Sequence, residues 1–75
     1  MNHSHATVCA AWDQVANVWV TTSSDVPGLV TETDTWQGLQ AKLDTMVPEL
    51  LETNGRVSAG AAISIDLIEE PPLAA

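Results

Sequence analysis

The apolar residues of this chain change their spacing once, near Asp34, and that change limits the fold more than any other feature. From there Trp36, Leu39, Leu43, Met46, Val47, Leu50 and Leu51 recur at helical spacing and lie along one face. Asp34 as N-cap, with Gln37 three residues on, makes a capping-box-like start, and Asn54-Gly55 supplies a left-handed stop. Two residues work against a regular helix. Gly38 costs about 1 kcal/mol relative to Ala, and Pro48 removes a backbone hydrogen bond and crowds the carbonyl of Asp44. The expected outcome is a kink over 44–48 or a break in which Pro48 opens a second short helix.

Before Asp34 the spacing is that of strands. In TVCAAW, Val8, Ala10 and Trp12 alternate with Cys9 and Ala11, which predicts a first strand over 7–12. Residues 13–17 form a connection into VWVTTSS, whose Val18 to Thr22 run has high strand preference, so a hairpin is expected. Pro27-Gly28 marks a turn in which proline presets φ and glycine takes a positive φ, and a third strand over 29–33 should follow. After the helix, Ile63, Ile65 and Leu67 alternate with Ser64, Asp66 and Ile68, giving a fourth strand over 61–68 that Pro71-Pro72 cannot extend. Residues 1–6 read as a loose terminus, 7–69 as one domain and 70–75 as a proline-containing tail.

The order strand, strand, strand, helix, strand makes this an α+β chain. Three short-linked strands form an antiparallel meander, and the helix must cross over and return the fourth strand parallel to the first. A four-stranded mixed sheet of order 3-2-1-4 with the helix on one face is therefore expected. The second face then lacks a cover, with Trp19 or Trp12 near it, and an apolar patch there would be a binding surface. A domain of 75 residues buries only about 60% of its unfolded surface, so a homodimer or higher homo-oligomer is expected to help.

Charge speaks about partners. Ten acidic residues against Lys42 and Arg56 give a formal charge of −8. Two basic side chains cannot neutralise a nucleic-acid backbone, whereas a basic protein is the natural complement. The single Cys9 rules out an internal disulfide and suits a reducing compartment, so a cytoplasmic location is expected. No apolar run approaches the roughly 20 residues that span a bilayer, and Met-Asn-His-Ser-His is unlike a signal peptide, so no membrane association is expected.

Four segments together carry a family likeness: Trp12-Asp13 with Ala16 and Val18-Trp19; Asp25-Val26-Pro27-Gly28-Leu29; Thr35 with Leu39, Lys42 and Leu43; and Pro48-Glu49-Leu50-Leu51-Glu52 with Asn54-Gly55. In these the chain resembles the HicB-like antitoxins of bacterial toxin and antitoxin systems, in particular a short branch catalogued as a domain of unknown function. The resemblance implies a truncated ribonuclease-H-like body without nuclease chemistry and a role in sequestering a small basic ribonuclease toxin of the HicA type. Fuller members carry a DNA-binding segment after the fourth strand and the short branch does not, so operator binding is not expected here.

Candidate chemistry has a plainer reading in each case. His3, His5 and Cys9 are metal-ligand types, but their spacing suggests no fourth ligand, so no cofactor or metal is expected. Asp13, Asp25 and Asp66 could meet as a residual metal-nuclease site, yet acids are frequent enough here to meet by chance. Cys9 falls within a strand and both histidines in the loose terminus, so no nucleophile and base pair forms and no enzyme is expected. Trp36 belongs in the core, whereas Trp19 is core or interface.

The functional expectation is a non-catalytic protein-binding module with Trp19, Asp25, Glu32, Asp44, Glu49 and Glu52 as candidate partner-binding residues. The alternatives are an orphan homo-oligomer without a toxin and, in a third class, the residual metal-dependent nuclease.

Overall fold

The computed structural model describes residues 3–73. Strands β1 (His3–Asp13) and β2 (Val18–Ser24) form a hairpin, followed by the short β3 (Glu32–Thr33), the helix α1 (Trp36–Thr53) and β4 (Ala62–Glu69). The sheet order is β3-β2-β1-β4, antiparallel within the meander and parallel between β1 and β4. This is the α+β, mixed-sheet arrangement expected from the periodicity. The helix carries the chain from one sheet edge to the other.

Packing follows from alternation and helical spacing together. Ala6, Val8 and Ala10 of β1 meet Leu39, Leu43, Val47 and Leu51 of α1, with Val26 and Leu29 closing one side. Parallel register sets Ile65 beside Ala6 and Leu67 beside Val8, so the β4 side chains extend the same layer. The small Ala6 and Ala10 leave room for the larger helix stripe. Leu39, Leu43 and Val47 are fully buried, and each contributes about 1.5–3 kcal/mol relative to an exposed position.

The helix ends are built by side chains and glycine. The N-cap is Thr35 rather than Asp34: its extended backbone presents the hydroxyl, which accepts from the Gly38 N–H at 2.9 Å. At the other end Gly55 takes φ +69, with its N–H on the Glu52 carbonyl and the Arg56 N–H on that of Leu51, which is a Schellman motif. Between them α1 is one element through Pro48, so the chain does not break there. Val47 and Leu51 pack into the same core on either side of the proline.

Other differences follow from strand pairing and turn geometry. β1 begins at His3, earlier than residue 7, because Ala62–Glu69 supplies a parallel ladder from His3 onward. The third strand shrinks from 29–33 to Glu32–Thr33. Leu29 instead closes the Pro27-Gly28 turn, its N–H on the Val26 carbonyl at 3.2 Å and Gly28 at φ +82. After β4 the chain stays on β1 past both prolines: the Glu70 N–H donates to Ala10 and that of Leu73 to Trp12. Trp12 and Trp19 both lie on the helix side, since they are register partners and Trp19 meets Trp36.

Candidate protein-binding face

The sheet face away from α1 is built by the same alternation that builds the core. In β1 it takes Thr7, Cys9, Ala11 and Asp13, the positions between the core residues. Register then assigns its neighbours: Val20 beside Ala11, Val18 beside Asp13, Ile68 beside Cys9, Asp66 beside Thr7 and Glu32 beside Val20. Leu73 joins them by bridging to Asp13. None of these residues belongs to the main core cluster. Ala11 is shielded at 1% exposure, whereas Ile68 and Leu73 stand 46% and 39% exposed.

The charges on this face are nearly of one sign. Asp13 accepts from the Val15 and Ala16 N–H groups, shaping the hairpin turn that Asn17 completes at φ 58. Glu70 accepts from the Thr22 hydroxyl at 2.5 Å, a bond that crosses β1. Thr22 is the residue skipped where the register of β1 and β2 shifts. His5, a cation only when protonated, lies 2.9 Å from Asp66. Lys42 instead reaches from α1 to the Glu32 carbonyl at 3.2 Å, and Arg56 follows the helix end.

The residues singled out in sequence are dispersed. Trp19 is wedged edge-on between Trp12 and Trp36, with centroids 5.5 and 4.8 Å away, and packs against the core. Asp25 extends the hairpin ladder, its carboxylate accepting from the Thr7 N–H at 3.0 Å while its own N–H donates to the Thr7 carbonyl. Glu32 stands on the bare face. Asp44 borders a groove of about 400 Å³ between α1 and β4, lined by Trp36, Gln40, Leu43, Ile65 and Leu67. Glu49 and Glu52 border another of about 400 Å³ with Met46, Leu50 and Thr53. The five acids therefore occupy four separate places.

Chemistry-bearing residues are dispersed as well. Asp13, Asp25 and Asp66 each have the partner named above, and among the described residues no three His, Cys, Asp or Glu side chains converge. The His3 side chain, like residues 1–2 and 74–75, lies outside what is described. No helix among the described residues is long and apolar enough to cross a membrane. Sequence reasoning missed Val18, Val20, Ile68, Leu73 and Glu70 as one group. The alternation and the strand order were legible, but the register between strands and the Leu73 bridge decide the grouping.

A family model described as a domain of unknown function, DUF1902, matches residues 5–73. The chain belongs to this family. The DUF1902 match runs from His5 within β1 through the other strands and the helix to the Leu73 bridge. Among solved structures, the crystal structure of a hypothetical protein, TTHA1013, from the extremely thermophilic bacterium Thermus thermophilus is 46% identical to this DUF1902 chain. The TM-score is 0.77, over 95% of this chain and 99% of that one. No curated protein matches.

Proposed function

We propose that this DUF1902 chain is a non-catalytic protein-binding module, an antitoxin of the HicB-like type that sequesters a small basic ribonuclease of the HicA type in the cytoplasm. The observation that carries the reading is the bare sheet face, where apolar side chains stand among acids in a chain of net charge −8. A basic RNA-binding protein needs a surface that mimics the negative charge of its substrate, and exposed apolar side chains add non-directional affinity to that attraction. The four sequence segments that resemble HicB-like antitoxins support the same reading. The test is to titrate the HicA-type ribonuclease of the same genome with this chain and follow RNA cleavage. Inhibition complete near equimolar chain is expected, and cleavage undiminished by excess chain would refute it.

A second reading, an orphan homo-oligomer, is favoured by one feature. β4 is an edge strand of eight residues whose outer side has no partner strand among the described residues. Such an edge is a template for pairing with another copy. Light scattering on the purified chain tests it: a mass of one chain across micromolar to millimolar concentration would remove it.

A further inference from the structure

We infer that the basic partner docks on the sheet face away from α1, over the strip formed by Val18, Val20, Ile68 and Leu73 around Ala11, a placement that rests on the function proposed above. Three kinds of observation converge on this face. It is the side of the sheet that α1 does not cover, since the helix packs on Ala6, Val8 and Ala10. Of the four large apolar side chains exposed among the described residues, Ile68 and Leu73 lie here, while Val15 and Val30 sit in separate loops. The strip is ringed by the carboxylates Asp13, Glu32, Asp66 and Glu70, while of the chain's two basic side chains Lys42 reaches the Glu32 carbonyl from α1 and Arg56 follows the helix end.

Charge selects the occupant. Two copies stacked through this face would set their sheets about 10 Å apart and bring the same acids into opposition, which like-charge repulsion disfavours. A nucleic acid would be repelled for the same reason. A protein surface carrying Lys and Arg around an apolar centre satisfies both parts of the face, because interface centres exclude charge and rims accept it. The two grooves beside α1 offer less. Each is bordered by only one or two acids, and Lys42 stands on the same helix.

The experiment measures the affinity of the HicA-type ribonuclease of the same genome for the chain and for three variants, Ile68→Lys, Glu32→Lys and Glu52→Lys. Circular dichroism checks each fold. Ile68 and Glu32 are exposed on the docking face, and Glu52 is exposed on α1. The expected result is a Kd raised at least tenfold by Ile68→Lys and by Glu32→Lys, and less than threefold by Glu52→Lys. If Ile68→Lys fails to fold, Glu32→Lys decides. Binding that is insensitive to both face variants overturns this placement and leaves the proposed function standing. Failure of the ribonuclease to bind the unaltered chain, or its absence from the genome, overturns both. A dimer that Ile68→Lys dissociates in the absence of any ribonuclease overturns the placement in favour of a second copy.

Discussion

Trp36, the first residue of α1, meets Trp19 of β2 edge-on, with ring centroids 4.8 Å apart and planes at 72°. Trp12 continues the stack on the other side of Trp19. The contact ties the helix start to the hairpin at the end of the sheet away from the Schellman cap. It also explains why Trp19 packs against the core on the helix side of the sheet.

Replacing Trp19 with Ala is expected to cost roughly 3 kcal/mol by urea denaturation. A double-mutant cycle between Trp19→Ala and Trp36→Ala should yield a coupling of about 1 kcal/mol from the edge-on geometry. Strictly additive losses would show that the two rings stabilise the fold independently.

Gly38 should respond to alanine with the opposite sign to an ordinary helical glycine. A Cβ there would meet the Thr35 hydroxyl at 2.8 Å, the oxygen that caps the helix. Gly38→Ala is therefore expected to destabilise by about 1 kcal/mol instead of stabilising by that amount. In a Thr35→Ala background the obstruction is gone, and the same substitution should stabilise. A gain on Gly38→Ala with Thr35 in place would contradict this.

Pro48 sits inside α1 with no N–H to give the carbonyl of Asp44. Pro48→Ala restores that donor, and after the greater freedom of the unfolded chain is subtracted a net gain of about 1–2 kcal/mol is expected. Thermal melting checks it. A loss would mean that the pyrrolidine ring contributes packing that outweighs the missing bond.

These cases show which levels of the structure were legible beforehand. Alternation and helical spacing act within one element, so the element order, the core stripe Leu39, Leu43, Val47 and Leu51, and the Gly28 turn could be read directly. The parallel return of the fourth strand and the order 3-2-1-4 followed from the topology rules, whereas the extent of each pairing did not. The early start of β1 depends on Ala62–Glu69, and the tether of Leu73 to Trp12 joins residues more than fifty positions apart across two prolines. The candidate site suffered most. Charge alone grouped Asp25, Glu32, Asp44, Glu49 and Glu52, although one extends a ladder, one lies on the bare face and three line two different grooves.

The acids on α1 are expected to govern the rate of encounter rather than the lifetime of a complex. Reversing Asp44, Glu49 and Glu52 together to Lys should slow association with the basic ribonuclease about tenfold at low salt, with little change in dissociation. Stopped-flow measurement should show the difference fading as ionic strength rises, since these side chains are exposed. A salt-independent rate would remove steering from the mechanism.

The most direct measurement is amide chemical-shift mapping of the isotope-labelled chain on addition of the HicA-type ribonuclease. Perturbations should concentrate on residues 9–13, 18–22 and 68–73, and leave 44–53 of α1 nearly unmoved. Perturbations centred on α1, with the sheet residues silent, would contradict a bare sheet face that clasps a basic protein.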